Sequence, residues 1–165
     1  VADKYQKYPF FRWFCLTAGG IWIDRDKADF TAFRIAAEVI GQGRSLGIAP
    51  EGTRSDGQLL EGKSGTVLLA IKTGVPVIPV AIYGSETTFP EWKRLRKPRL
   101  FCRFGAPLTF APLNRDERET GLERYTTELM CQIAAMLPSK YRGFYAQHPR
   151  LQQLLEQPGT GPDHP

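Results

Sequence analysis

The sequence predicts a single α/β domain in which a mostly parallel sheet is flanked by helices. Three observations point there. Segments with helical spacing alternate with short β-rich runs along the chain, which is the signature of strand–helix–strand units. Val75 to Tyr83 (VPVIPVAIY) is a continuous, largely β-branched apolar run, as expected of a strand buried on both faces. The 165 residues, 42% hydrophobic and 24% charged, have the size and balance of one globular domain with a real core.

Residues 5–18 (YQKYPFFRWFCLTA) crowd Phe10, Phe11, Trp13 and Phe14 behind Pro9. They read as a short helix buried on most sides, or as a surface that dips into lipid. Ile21-Trp22-Ile23 is a short strand whose carboxyl end carries Asp24, Arg25 and Asp26. Residues 27–40 place Phe30, Phe33, Ala37 and Ile40 on one helical face, with Asp26 or Asp29 as cap and Gly41 and Gly43 as the stop. Ser45 to Ala49 reads as a second strand, and Pro50 opens a loop.

Ser64 to Lys72 predicts a helix ended by Gly74. In the apolar run that follows, Pro76 and Pro79 suit an edge or a bulged start better than a strand interior. Arg99 to Phe104 alternates as a strand. Residues 115–137 predict a long helix with Leu122, Tyr125, Leu129, Ile133 and Met136 on one face. The expected domain ends at 145; residues 146–165 read as a tail, with His148 and His164 solvated and the Pro/Gly-rich end from Gln157 disordered.

With 22 basic and 17 acidic residues, the net charge of +5 favours anionic partners: phosphorylated metabolites, an anionic membrane face, or nucleic acid. Cys15, Cys102 and Cys131 are scattered and read as reduced residues in or near the core, with no metal site. No apolar run reaches the roughly 18 residues of a spanning helix. The chain starts at Val1 without a signal-peptide pattern and reads as a piece of something longer.

The candidate site lies in residues 49–65, APEGTRSDGQLLEGKSG. Two phosphate-binding patterns overlap there. Gly57 to Ser64 fits G-x-x-x-x-G-K-[ST], the nucleotide P-loop. A working P-loop follows its strand directly, whereas here a polar stretch intervenes and Glu61 would face the phosphate. The other pattern is Pro50-Glu51-Gly52-Thr53-Arg54. Gly52 permits a tight reversal, Arg54 offers a forked cation suited to phosphate oxygens, and Glu51 can fix that guanidinium or cap a neighbouring turn. Lys63 stands at a helix start, where backbone N–H groups also favour anions. Arg25 comes from another strand end. In a parallel sheet such ends share the ligand-facing edge, so these cations describe a phosphate crevice; the alternative is a surface ion-pair loop.

These residues resemble the glycerolipid acyltransferases of the 1-acylglycerol-3-phosphate (lysophosphatidic acid) acyltransferase type. GGIWIDR (Gly19 to Arg25) resembles that family's G-x-x-F-I-D-R motif. PEGTRS (Pro50 to Ser55) resembles F-P-E-G-T-R-S and is the most specific of the matches. GKSG (Gly62 to Gly65) resembles F-K-x-G, and VPVIPVAIYGS (Val75 to Ser85) resembles V-P-[IV]-[IV]-P-V. The resemblance spans roughly residues 1–112. It implies a glycerol-3-phosphate acyltransferase-like fold and transfer of a fatty acyl group from acyl-CoA or acyl carrier protein to a glycerol-phosphate hydroxyl. It implies that Arg54 and Lys63 bind the acceptor phosphate, that Glu51, Gly52 and Thr53 shape the pocket, and that Asp24 and Arg25 support it or touch the acceptor. Pro76 to Pro79 would pack beneath the site. No metal or bound cofactor is implied, since the acyl thioester is a co-substrate.

The family's first motif, H-x-x-x-x-D, supplies the general base and the carboxylate that orients it. It does not occur in these residues: His148 is followed five positions on by Gln153. The motif order places it just upstream of Val1. The expectation is therefore a chain inactive by itself, either because the base lies upstream or because this is a non-catalytic module that binds a lipid phosphate or a partner. The basic run Trp92-Lys93-Arg94-Leu95-Arg96-Lys97-Pro98-Arg99 suits an anionic lipid surface, with no motif for nucleic acid. The sequence thus predicts a cytoplasmic protein peripherally associated with a membrane.

Overall fold

The computed structural model describes residues 9, 13, 17, 30–53, 55, 57–85, 97 and 99–156. Their elements, in chain order, are α1 (Phe30–Gly41), α2 (Gly65–Thr73), β1 (Val80–Tyr83), β2 (Phe101–Phe104), α3 (Arg118–Met136) and α4 (Pro149–Leu155), with 3₁₀ turns at Ser139–Tyr141 and Gly143–Tyr145 between the last two helices. The expected strand at Ile21, the charged residues Asp24 to Asp26, the run Trp92 to Arg96 and the tail from Gln157 lie outside the described residues, as does Cys15. The chain divides into two compact units, Val1–Gly47 and Ile48–Pro165.

In the first unit Pro9, Trp13 and Thr17 are helical, and the Thr17 hydroxyl donates to the Trp13 carbonyl four residues back. Trp13 is 61% exposed, which fits the surface reading of this segment at that position; Phe10, Phe11 and Phe14 lie outside the described residues. In α1 the buried residues are Ala32 and Ala36. Phe33, Ala37 and Ile40 are half-buried beside them, whereas Phe30, at the open first turn, is 82% exposed and does not belong to the packed face. Gly43 closes the helix by donating to the Ile40 carbonyl.

The second unit is organised by α3. Its C-terminal half buries residues on every side, Leu129, Met130, Cys131, Ile133, Ala134 and Ala135 among them, as a helix does when other elements cover it all round. Full burial of Leu129 and Met130 contributes roughly 1.5–3 kcal/mol each. The N-terminal half is exposed apart from Gly121 and Thr126, with Leu122 and Tyr125 half-buried against the core. On α3 rest α2, through Val67, and β1, through Ala81. A left-handed Gly74 caps α2, as its sequence predicts.

Among the described residues the sheet is a two-stranded antiparallel pair, with Val80 opposite Phe104 and Tyr83 opposite Phe101. No parallel pair of the expected mostly parallel sheet occurs among the described residues, and the expected strand at Ile21 lies outside them. Ser45 to Ala49 forms no strand: this short, Gly-containing stretch finds no ladder partner there. The run Val75–Tyr83 is not a strand covered on both faces either. Before Val80 it holds only one bridge, Val77 to Leu108, because Pro76 and Pro79 lack the N–H a ladder needs. The prolines therefore act as the irregular start that the sequence suggests. Within β1, Ala81 is buried against α3 while Ile82 is 61% exposed, so only one face is covered.

The segment after 145 is no solvated tail up to Glu156. Leu151 and Leu154 are fully buried. His148 is the N-cap of α4, its Nδ1 accepting the Arg150 N–H at 3.1 Å and lying 3.5 Å from Cys131 Sγ. Burial pushes the Cys131 thiol up to about 11, so it stays a neutral core residue at physiological pH. Cys102 is exposed on β2, contrary to the near-core expectation, because alternation along that strand turns it to the uncovered face.

Candidate functional site

The loop from Pro50 to Lys63 leaves and returns to nearly the same point. The Lys63 N–H donates to the Pro50 carbonyl at 2.8 Å, and the Gly52 N–H to the Ala49 carbonyl at 3.1 Å. Gly52 has φ +68°, a conformation open to glycine but strained for other residues. Its missing side chain leaves room for the Lys63 stem: a Cβ there would lie 3.1 Å from Lys63 Cδ and 3.5 Å from Nζ. The turn and the lysine, eleven positions apart in the sequence, are thus brought together, with the exposed ammonium beside the E-G-T corner.

Glu51 reaches across the loop to its returning arm. Its carboxylate accepts the Leu60 N–H at 2.7 Å and braces the loop from within. Thr53 is exposed at the corner. Arg54, Asp24 and Arg25 lie outside the described residues.

The returning arm is fastened by a strap that the sequence motifs do not include. Leu59 exchanges two main-chain hydrogen bonds with it, donating to the Tyr141 carbonyl and accepting the Phe144 N–H, both at 2.9 Å. Between these two residues Gly143 turns at φ +45°, and any Cβ on it would overlap the Leu59 main chain. Two residues on, the buried Tyr145 accepts the Gly62 N–H on its hydroxyl at 3.0 Å. Gly62 itself presses on the Met130 and Thr126 side chains of α3. Sequence reasoning missed Tyr141, Gly143 and Tyr145. The available signal was YRGFY, a glycine-punctuated aromatic cluster just after a long helix.

This anchorage bears on the P-loop pattern. The Leu59, Leu60, Gly62 and Lys63 N–H groups already donate to Tyr141, Glu51, Tyr145 and Pro50. A P-loop needs such groups turned towards phosphate. The loop's backbone is tied into the fold here, and the exposed Lys63 is what it presents.

Beside the loop lies a cleft of about 510 Å³, lined by Glu51, Gln58 and Leu59 on one side and by Ile82, Tyr83 and Tyr141 on the other. Lys63 is not in its wall; its stem lies against Gly52. Tyr83 and Tyr141, whose rings are 5.6 Å apart, separate this cleft from a second one.

A family model described as Acyltransferase matches residues 1–83. The 1-acyl-sn-glycerol-3-phosphate acyltransferase of Haemophilus influenzae is 30% identical over 126 residues, 74% of this chain and 52% of that protein. The enzyme of the same name from Cocos nucifera is 34% identical over 119 residues, 68% of this chain and 36% of that one. The crystal structure of the 1-acyl-sn-glycerophosphate (LPA) acyltransferase PlsC from Thermotoga maritima superimposes with a TM-score of 0.52 at 27% identity, covering 76% of this chain and 52% of the other. The chain thus spans about half the length, or less, of these relatives.

Proposed function

The chain belongs to the acyltransferase family, and from that premise we propose that its Pro50–Lys63 loop holds the phosphate of a lysophosphatidate-like acceptor. The full protein would pass a fatty acyl group from a thioester donor to that acceptor's free hydroxyl, in phospholipid synthesis. The observation that carries the proposal is the seating of Lys63 against Gly52. It delivers an ammonium to the corner from which Thr53 and Arg54 follow in the chain.

In this reading Lys63 supplies a point charge and Arg54 a planar fork to one phosphate. Glu51 and Tyr145 bind no substrate; they hold the loop in shape. Fixing the phosphate orients the acceptor hydroxyl towards the thioester carbonyl, and the hydroxyl oxygen forms the ester bond as the thiolate leaves. The hydroxyl proton needs a base. His148 is committed as the cap of α4, and no H-x-x-x-x-D occurs in these residues. These 165 residues by themselves should therefore turn over more slowly by a factor of about 10² to 10⁴ than a chain with a positioned base.

Membrane association belongs to the same proposal. Among the described residues no helix is long and apolar enough to cross a membrane. A peripheral contact through the basic stretch around Lys97 and Arg99, on the cytoplasmic face, suits a lipid acceptor.

Calorimetric titration with glycerol 3-phosphate tests the site without requiring turnover. Lys63→Ala should weaken binding about 10- to 100-fold, the worth of a charge-assisted contact, while Lys72→Ala leaves it unchanged. Equal affinity in the Lys63 variant would remove the acceptor-site reading.

A further inference from the structure

Helix α4 begins on a conditional cap. The usual N-cap residues, Ser, Thr, Asp and Asn, accept a first-turn N–H on a side-chain oxygen, and do so at any pH near neutrality. Here the acceptor is a ring nitrogen. His148 Nδ1 takes the Arg150 N–H at 3.1 Å, with Pro149 behind it at the start of the helix. Histidine is the side chain whose charge ordinarily changes between about pH 5 and 8, and an imidazole accepts only through an unprotonated nitrogen.

The main chain at His148 is held whatever the ring does. Its N–H donates to the Tyr145 carbonyl at 3.0 Å, and its carbonyl accepts the Leu151 N–H at 3.0 Å. Only the side-chain contact can switch, and the half-buried ring is within reach of water. Three groups face it. Cys131 Sγ on α3 lies 3.5 Å from Nδ1, the Tyr145 ring is 6.1 Å away centre to centre, and Arg150 follows on α4 with its guanidinium on Glu128 of α3. None of them makes good a lost cap. A thiol sulfur is a weak acceptor, and the Glu128 carboxylate is already taken by Arg150. A proton on Nδ1 sets a donor against the Arg150 N–H and adds positive charge at a helix N-terminus, where the helix dipole opposes it.

The cap stands where α4 covers α3. Beneath it Cys131 and Leu151 have no exposed surface, and Leu154 has 2%. We propose that His148 is a pH-sensitive latch: uncharged, it keeps α4 closed over Cys131, and protonated at Nδ1 it raises the fraction of molecules in which α4 is lifted from α3. The inference goes beyond the acyl-transfer reading and does not rest on it.

Cys131 reports the opening and the exposed Cys102 serves as the reference thiol. A pyridyl disulfide, which reacts with thiols in acid as well as at neutral pH, labels both, and peptide mass spectrometry gives each rate. Between about pH 8 and about 5.5 the Cys131-to-Cys102 ratio should rise about three- to tenfold, the worth of an N-cap. Glu128 stays charged across that range, because its hydrogen bond from Arg150 holds the carboxyl below the ordinary 4.5. In His148→Asn, whose amide oxygen caps at every pH, the ratio should stay flat. In His148→Ala it should be flat and high, since the cap is missing throughout. The parent's Tm should also fall relative to that of His148→Asn by about 2–4 °C over the same range. A flat ratio in the parent overturns the proposal, and so does an equal rise in His148→Asn, which would assign the opening to other groups. A Cys131 that never reacts, with a Tm difference that does not change with pH, overturns it as well.

Discussion

The strap at 141–145 and the helix α4 at 149–155 follow one another and both lie against α3, yet they secure different things. The strap spends its polar groups on the loop: the Tyr141 carbonyl, the Phe144 N–H and the Tyr145 hydroxyl all bond to Leu59 or Gly62. Helix α4 is held by Leu151 and Leu154 in the core and by Arg150 on Glu128. One region positions Lys63, and the other adds burial and charge without touching the loop in any hydrogen bond described. The contrast teaches that site geometry and general stability are separable in this unit. Changes in the strap should alter ligand affinity beyond their effect on folding, and changes at α4 should not.

The largest effect is expected at Gly143. Alanine there meets a left-handed conformation, which disfavours a side chain by roughly 1–2 kcal/mol, and its Cβ runs into the Leu59 main chain, which cannot rotate away. Together these should destabilise by about 3 kcal/mol, or lower Tm by about 10 °C for a domain of this size. Because the displaced segment is the returning arm of the loop, glycerol 3-phosphate affinity should fall as well when measured well below Tm. A Gly143→Ala protein with reduced Tm and unchanged affinity would merge the two regions again.

Tyr145→Phe is a milder version of the same break. The ring stays and fills its buried place, but the Gly62 N–H loses its acceptor. Gly62 is only half-buried, so water can recover part of the loss; about 1 kcal/mol, or about 3 °C in Tm, is expected. Lys63 follows Gly62 directly, and hydrogen exchange of the 59–63 amides should rise more than that of α4. Uniform acceleration across both would mean that the hydroxyl serves stability alone.

The two regions also differ in how far the sequence discloses them. PEGTRS, GKSG and the proline-interrupted apolar run are local patterns, and the described residues in them show local features: a turn at Gly52, Lys63 just before α2, prolines ahead of β1. Helices α1 and α3 are legible from periodicity, and α2 from its run up to the Gly74 stop. What escaped is non-local. That Gly62 is met by Tyr145, 83 residues later, follows from how α3 crosses the unit, and no spacing in the sequence encodes it. The antiparallel pairing of β1 with β2 escaped for a related reason. A continuous apolar run signals burial, but direction and cover depend on partners distant in the chain. A lone histidine near a chain end carries no pattern of burial, so His148 reads as solvated, whereas its place before Pro149 is a helix-start signal.

The smallest effect belongs to the other side of the comparison. Arg150 grips Glu128 with Nε and Nη2, the latter at 2.8 Å, and this contact holds the Glu128 carboxyl below its ordinary value of 4.5; Gln132 and the charge of Arg150 reinforce it, against the opposing pull of burial. A carboxylate with a lowered pKa in the folded state stabilises above its unfolded value, and that contribution fades as pH falls through the folded one. Both partners are about one-third exposed, so solvent screening limits the pair to about 0.5–1 kcal/mol. Glu128→Gln keeps the shape and drops the charge. It should lower Tm by no more than about 3 °C at pH 7 and lose that difference from the parent as pH drops below about 4.5. Since α4 makes none of the loop's hydrogen bonds, affinity for glycerol 3-phosphate at pH 7 should stay the same. A fall in affinity comparable to that of Tyr145→Phe would show that the ion pair reaches the site through α3, and the division between strap and helix would have to be redrawn along that helix.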